Sequence, residues 1–403
     1  MKPLEGIRVL ELATFVAAPV CARLLSDLGA DVIKVERPSG DDWRSSAITY
    51  SSNFSNDANP VFDLYNTGKR SIALDLKSED GMAVFHKLLA QADVFITNTR
   101  PNSLKRLGLA YEDIKEQYPG LVYAMLVGYG EKGPDAAKPA FDVTAFWARS
   151  GFLRDQAALN NDYTPVIAPF GAGDTVAGTT LLAEICAALL RKERTGLGDC
   201  VRSGLYQSGI FTFGTMQIIT QKPWGRKMPT SPDSYSLQGC YRCCDDEWVF
   251  VSTGNPAVSI PKFCRLIGKP ELMEDPRFST NEARKANLST LHRIFDEGVA
   301  ALTCEDCLKL GEELDLPVVR VPHYSDVTQD EQAWVNGYLE QVTFRDGQQM
   351  TMPASPLSMD CVGQLHTTYA PYVGENTVAI LDELGYTDEE IERMKKAGAI
   401  HAC

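Results

Sequence analysis

Residues 6–36 are GIRVLELATFVAAPVCARLLSDLGADVIKVE. The first seven form an apolar run typical of a buried β-strand, and Asp31–Glu36 is a second run of this kind. Between them, residues 19–28 carry apolar side chains at helical spacing, with Pro19 in the first turn and Gly29 as the stop signal. Strand, helix and strand in about thirty residues make a βαβ unit, whose two strands are parallel neighbours.

The same alternation continues through the first half of the chain. It predicts further strands at 71–76, 93–98 and 121–126. It predicts further helices at 78–90, near Leu104 and Tyr111, and at 175–191. This order is typical of an α/β fold, and it predicts a large domain at residues 1–205 built on a Rossmann-like, doubly wound parallel sheet.

Beyond Gly225 the pattern changes. A hairpin at 241–252 is followed by helices and proline-bearing loops, which predicts a smaller α+β domain at 228–315. Residues 335–403 add a helix, a strand pair around 345–347 and a last helical region, and we expect them to return to the large domain.

Composition limits the partners and the compartment. The 403 residues carry a formal charge of −14, which repels phosphates and anionic membranes, so we expect neither nucleic acid nor membrane binding. The first residues lack a signal core, and no apolar run approaches the ~20 residues of a membrane span, which predicts a cytoplasmic protein. We expect its eleven cysteines to be reduced thiols.

Basic residues follow three of the predicted strands. Arg37, Lys77 and Arg100 stand where strands two, three and four end. The carboxyl ends of parallel strands line the ligand crevice of an open sheet, so the three together favour a polyanionic small molecule such as a nucleotide or coenzyme A. Each one alone is better explained as a solvated strand-end charge.

The usual nucleotide signatures are missing from the turn after the first strand. Residues 13–19 are ATFVAAP, which is neither G-x-G-x-x-G nor a Walker A sequence. This argues against an NAD-linked oxidoreductase and against a P-loop ATPase, but it leaves room for a ligand whose phosphates rest on side chains.

A second candidate site lies at residues 170–175, FGAGDT, just before the long helix. Asp174 at the helix N-terminus should accept backbone N–H bonds and remain ionised. Gly171 and Gly173 would let a substrate approach closely, which favours a functional carboxylate over a simple helix cap. The alternative of a plain cap stays open.

Two C-x-x-C pairs, Cys240 with Cys243 and Cys304 with Cys307, could in principle bind zinc. About sixty residues separate the pairs, and Thr303 caps a helix at the second, so we expect no metal. The five histidines show no metal-binding spacing.

Several segments together resemble the class III (CaiB/BaiF) coenzyme A transferase family. They cover nearly the whole chain: 6–12, 28–36, 66–77, 128–134, 173–174 and 371–386. The resemblance implies that Asp174 is the nucleophile that takes the acyl group as a mixed anhydride and then carries CoA as a thioester. It implies a CoA thioester as substrate and no tightly bound cofactor.

The resemblance also implies a CoA site. Its residues in this chain would be Val16, Ala17, Arg37, Leu74, Lys77, Asn98, Thr99, Arg100, Arg106, Val127, Gly128 and Tyr129. It further implies an interlocked homodimer, with linkers around 205–228 and 315–335 joining the domains.

Within the family, the chain departs from formyl-CoA transferase at Val16, at Val127 and at 228–232, where a run of glycines is absent. It is more similar to the phenyllactate and 2-hydroxyisocaproate CoA-transferases of amino-acid-fermenting anaerobes, at 128–135, 141–149 and 331–339. This likeness implies an (R)-2-hydroxy acid as acceptor and an acyl- or enoyl-CoA as donor.

Two other functions remain as alternatives. The α-methylacyl-CoA racemases of the family have a histidine where this chain has Phe141, and a phenyl ring cannot carry a proton. A catalytically silent CoA-binding protein would use Asp174 only as a cap. The side chain of the acid is left open, with Phe146, Trp147 and Tyr235 as candidates for the pocket wall or for core packing.

Overall fold

The computed structural model of the protein describes residues 1–156, 168–223, 225 and 237–403. The chain forms two compact units. The large unit comprises Met1–Phe152, Ile167–Ile219 and Glu331–Cys403, and the small unit comprises Leu153–Val166 and Thr220–Asp330.

Twelve strands form within the described residues. They are β1 Arg8–Leu12, β2 Asp31–Glu36, β3 Arg70–Leu74, β4 Val94–Thr97, β5 Val122–Val127, β6 Cys200–Gly204, β7 Gly239–Arg242, β8 Trp248–Val251, β9 Val318–Arg320, β10 Leu339–Thr343, β11 Gln349–Pro353 and β12 Ile400–His401.

The α-helices of the described residues are α1 Ala17–Asp27, α2 Asp42–Ile48, α3 Pro60–Asn66, α4 Glu79–Gln91, α5 Pro101–Leu107, α6 Tyr111–Ile114, α7 Phe152–Gln156, α8 Ala172–Thr195, α9 Leu205–Thr212, α10 Gly214–Ile219, α11 Pro256–Leu266, α12 Asn281–Ala286, α13 Leu288–Val299, α14 Cys304–Glu313, α15 Tyr324–Val327, α16 Glu331–Val335, α17 Thr377–Glu383 and α18 Asp388–Lys396. A π-helix spans Asp142–Ala148 and a 3₁₀-helix spans Pro270–Met273.

The large unit is built on a seven-stranded sheet in the order β12-β3-β2-β1-β4-β5-β6. Six strands pair in parallel, which confirms the predicted α/β sheet. The sheet is not wholly parallel, because β12 pairs antiparallel with β3, and neither β12 nor β6 was predicted. The strand order reverses between β1 and β4, and in sheets of this order ligands bind at the carboxyl ends of the strands next to that reversal.

Helices α1 and α8 pack together against the sheet. Gly178 permits the contact, since a β-carbon there would lie 2.5 Å from the carbonyl oxygen of Ala17. Helix α8 is, of the described helices, the one long and apolar enough to cross a membrane by length and composition. The expectation that no segment approaches that length was therefore wrong, although α8 lies against α1, β5 and β6.

The small unit contains the antiparallel sheet β7-β8-β9 and helices α11 to α15. The predicted hairpin is confirmed: β7 pairs with β8 and the chain turns at Asp246, whose φ is +66°. In its core, the sulfur atoms of Cys243 and Cys307 are 4.0 Å apart. Cys240 is exposed, and within the described ranges no three potential ligands are grouped to hold a metal ion.

Candidate active site

The start of α8 is held by contacts with Asp142, a residue outside the helix. The helix begins at Ala172 and its N-cap is Gly171, at a φ of +84°, so Asp174 lies in the first turn and is not the cap. The amide of Gly171 donates a hydrogen bond to Oδ2 of Asp142 at 2.5 Å. Gly173 must be small, since a β-carbon there would lie 2.3 Å from Oδ1 of Asp142 and 2.3 Å from Phe146.

The pKa of Asp174 is raised to about 7, first by burial and second by the negative charge of Asp142. No hydrogen bond from the described residues offsets these two effects. The expectation of a permanently ionised carboxylate was therefore wrong. Near neutral pH, Asp174 exists as both acid and carboxylate, and the carboxylate is poorly solvated, which favours reaction with an electrophile.

Asp174 opens into a cavity of about 800 Å³ at the strand-order reversal of the large sheet. This volume is within the usual range for small-molecule sites. The cavity brings together nine of the residues predicted from the sequence: Val16, Ala17, Arg37, Asn98, Thr99, Arg100, Val127, Gly128 and Asp174.

Asn98 joins the loops that follow β1 and β4. Its side-chain oxygen accepts from the amide of Thr14 at 3.0 Å, and its side-chain nitrogen donates to the carbonyl of Thr14 at 2.7 Å. Helix α1 begins three residues after Thr14, at Ala17, and its N-cap Val16 provides no side-chain hydrogen bond. The first N–H groups of a helix have no acceptor within the helix, and Pro19 has no N–H. The N–H groups of Ala17 and Ala18 are therefore available to bind an anion.

The predicted basic residues are divided between the cavity and its surroundings. Arg37 lies on the cavity wall, forms an ion pair with Asp42 and donates from Nε to the carbonyl of Gly40 at 2.9 Å. Arg100 is exposed and forms no ion pair with a described residue. Arg106 lies outside this cavity and lines an adjacent recess together with Arg100.

Comparison with known proteins identifies the family of the chain. The sequence model of the protein family described as CoA-transferase family III matches residues 4–377. The chain belongs to that family. It is 37% identical to (R)-2-hydroxy-4-methylpentanoate CoA-transferase of Clostridioides difficile over 98% of this chain and 99% of the relative. It is 35% identical to cinnamoyl-CoA:phenyllactate CoA-transferase of Clostridium sporogenes, over 97% and 96%.

A solved structure agrees with this assignment. A CaiB/BaiF family protein from Brucella suis superposes with a TM-score of 0.80 at 28% identity, covering 95% of this chain and 99% of that one. The protein is therefore a family III CoA-transferase with the α/β architecture of the CaiB/BaiF proteins, and acyl-CoA thioesters and carboxylates are the substrates of such enzymes.

Three further predicted CoA-site residues of the transferase do not line the cavity. Leu74 is 1% exposed within β3, beside Ile400 of β12. Lys77 is exposed beyond the end of β3. Tyr129 is half-buried, and the guanidinium of Arg149 lies 4.8 Å from its ring centre.

Sequence reasoning missed the most apolar part of the cavity. Five rings on its wall, which we call the aromatic wall, are Phe15, Trp43, Tyr50, Phe141 and Phe170. Phe15 contacts Trp43 and Phe141 with ring centres 6.0 and 5.5 Å apart, and Tyr50 stacks on Phe170 at 5.2 Å. Tyr50, Phe141 and Phe170 are each about half exposed, so their rings are available to a ligand.

The wall residues proposed from the sequence are placed differently. Phe146 is buried, and it and Trp147 pack against Phe213 in the core of the large unit. Tyr235 and the segment 228–232 lie outside the described residues. The one signal that could have found the aromatic wall is proximity in sequence: Phe15 precedes Val16, and Phe170 begins the FGAGDT segment.

Proposed function

We propose that the transferase moves CoA from an acyl- or enoyl-CoA to an (R)-2-hydroxy acid such as 2-hydroxyisocaproate or phenyllactate. Two relatives at 37% and 35% identity are named for such acids. The position of Asp174, a partly buried carboxylate on a cavity also lined by Val16, Ala17 and Arg37, carries the proposal. The five rings of the aromatic wall would bury an apolar group, which favours an acid with a bulky apolar side chain.

The proposed reaction is a series of exchanges at Asp174. The carboxylate attacks the thioester carbonyl, which breaks the carbon–sulfur bond and gives a mixed anhydride and CoA thiolate. The thiolate then attacks the carbonyl of Asp174, releasing the donor acid and leaving an aspartyl-CoA thioester. The acceptor carboxylate repeats the two steps in reverse, which regenerates Asp174 and forms the new acyl-CoA.

The residues around Asp174 have separate roles in this scheme. The amides of Ala17 and Ala18 are placed at the uncapped start of α1, where they would stabilise an oxyanion or a thiolate. The exposed Arg100 would attract the phosphates of CoA. One thioester replaces another of similar energy, so no ATP is required, in agreement with the missing phosphate loop.

The test is a transfer assay with purified protein. Cinnamoyl-CoA or 4-methylpentanoyl-CoA is mixed with a panel of (R)-2-hydroxy acids, and new CoA esters are followed by mass spectrometry. Asp174→Asn should lose at least about a thousandfold in rate, because the amide is not a nucleophile. Asp63→Asn is the matched control, since Asp63 is also a buried carboxylate of the large unit whose pKa burial raises to about 7, and it does not line the cavity.

Each alternative function gives a different result. Binding of CoA esters by wild type and Asp174→Asn, with no transfer by either, would favour the silent binding protein. Deuterium uptake at the α-carbon of a 2-methylacyl-CoA in heavy water would favour the racemase. Phe141 lines the cavity where that enzyme would need an acid or base, so we expect no such uptake.

We also propose that the transferase acts in the cytoplasm as an interlocked homodimer. The support for the dimer is the family likeness over nearly the whole chain. Sedimentation should give the mass of two chains, and separated folded monomers should be hard to obtain. A stable, active monomer would contradict the proposal.

A further inference from the structure

Asp41 connects two parts of the aromatic wall. This residue, 4% exposed, precedes α2, and its Oδ1 accepts hydrogen bonds from the amides of Phe15 at 3.2 Å and Trp43 at 2.9 Å. Phe15 belongs to the loop after β1, whereas Trp43 lies in the first turn of α2. One carboxylate oxygen thus fixes the backbone of two wall residues that come from different segments and whose rings are in contact.

The other oxygen of Asp41 belongs to a buried charge network. The ammonium of Lys34, 1% exposed, lies 3.0 Å from Oδ2 of Asp41 and 3.1 Å from Oε1 of Glu11. Lys69 lies 2.7 Å from the second oxygen of Glu11. Two carboxylates and two ammonium groups lie within ion-pair distance of one another, so the network holds the Asp41 side chain in one orientation.

The backbone of Phe15 needs this support. Its φ is +63°, in the left-handed region that L-residues with large side chains rarely adopt. Such conformations persist where surrounding contacts impose them, and they cluster at functional sites. The hydrogen bond from its amide to Asp41 is a contact of this kind, and the conformation places the Phe15 ring against Phe141 on the cavity wall.

We infer that Asp41 is a positioning residue for the acid-binding end of the cavity: by holding Phe15 and Trp43, it sets the preference of the enzyme for acids with bulky apolar side chains. The inference rests on the proposed function. Trp43 is also in contact with Phe170, at 6.0 Å between ring centres, so displacement of either held ring would loosen the wall. A small acid makes few contacts with these rings, so the kcat/KM for a small acid should change little.

The experiment compares two acids in each variant. Asp41→Asn keeps an oxygen for the two amides but sets an NH₂ group against the ammonium of Lys34, which removes the ion pair. We expect kcat/KM for (R)-phenyllactate to fall about tenfold relative to that for (R)-lactate, a change typical of a loosened apolar pocket. The KM for the CoA donor should stay within about twofold.

Two further variants complete the design. Phe15→Gly removes the ring and adopts the positive φ without strain, so it tests the wall directly and is expected to fold even where Asp41→Asn does not. It should shift the same ratio in the same direction. Asp63→Asn is the matched control, because Asp63 is a buried carboxylate that accepts from the amide of Ala370 at 3.0 Å and does not line the cavity; its ratio should equal that of wild type.

The outcomes separate the inference from the proposed function. If wild type transfers CoA to no acid, the proposed function fails. If wild type is active and Asp41→Asn lowers both acids equally, or Phe15→Gly leaves the ratio unchanged, Asp41 does not position a selective wall and the inference is overturned.

Discussion

The backbone amide of Gly171 donates a hydrogen bond to Oδ2 of Asp142, 2.5 Å away. Gly171 is the N-cap of α8, so Asp142 anchors the loop from which the helix carrying Asp174 begins. The same side chain contributes to the raised pKa of Asp174. Asp142 therefore acts on Asp174 in two ways, through the position of the helix and through charge, and the two can be separated by substitution.

Asp142→Asn should shift the acid limb of the pH profile of kcat/KM to lower pH. The variant keeps an oxygen that can accept from Gly171, while loss of the negative charge removes one cause of the raised pKa of Asp174. In the proposed reaction the carboxylate of Asp174 is the nucleophile, so a larger share of the enzyme would be reactive at pH 6.

Asp42→Asn provides the control, since Asp42 also lines the cavity but does not contribute to the raised pKa of Asp174. If the acid limb of the kcat/KM profile stays in place in Asp142→Asn, or shifts equally in Asp42→Asn, the charge of Asp142 does not raise the pKa of Asp174.

Asp174→Asn should be more stable to heat than wild type at pH 8. A carboxyl group whose folded pKa is raised contributes stability that is complete below its unfolded pKa and is lost as the pH rises through about 7. One pKa unit corresponds to about 1.4 kcal/mol, so ionised Asp174 costs the folded protein on the order of a few kcal/mol at pH 8. The gain in Tm should shrink towards zero as the pH falls to 4.

Asp80→Asn is expected to behave in the opposite way. Hydrogen bonding to Arg393 lowers the pKa of Asp80, so the amide gains nothing at pH 8. Equal Tm values for Asp174→Asn and wild type at both pH values would show that burial does not strain this carboxylate.

The sequence predicted the features of this fold that depend on local pattern. Strand β2 was predicted with its observed bounds, and Ser78 indicated the start of α4, because apolar periodicity and caps are properties of adjacent residues. The antiparallel strand β12 was missed. Two residues cannot show a period, and their partners in β3 lie more than three hundred positions earlier in the chain.

The candidate site likewise has a part that the sequence could predict and a part that it could not. Asp174 was found because two glycines and a helix start stand beside it, whereas its raised pKa depends on burial and on Asp142, which only the tertiary structure brings close. The aromatic wall comes from five separate positions between Phe15 and Phe170. No spacing rule connects such residues, so apart from the position of Phe15 and Phe170 beside predicted site residues their convergence had no signature in the sequence.

Gly173→Ala should slow transfer about a hundredfold without unfolding the sheet. The added β-carbon would lie 2.3 Å from Asp142 and 2.3 Å from Phe146, so the start of α8 must move and Asp174 with it. A displacement of about 1 Å in a reacting group can cost about a hundredfold in rate. In Gly214→Ala the new methyl group meets no atom within 4 Å, and its kcat should match wild type. Wild-type kcat in Gly173→Ala would contradict the close packing of Asp142.

Lys34→Met should be strongly destabilising. Burial alone would lower the pKa of Lys34, but Glu11 and Asp41 outweigh it and raise the pKa above its usual value, so the ammonium is held by two buried carboxylates. Removing one partner of a buried ion pair leaves uncompensated charge and costs about 3–5 kcal/mol. The surface pair of Lys115 and Glu112 provides the comparison, because solvent screens it and Lys115→Met should leave the free energy of unfolding nearly unchanged. Urea unfolding followed by fluorescence measures both variants, and similar midpoints for the two would show that the network beneath the aromatic wall does not depend on Lys34.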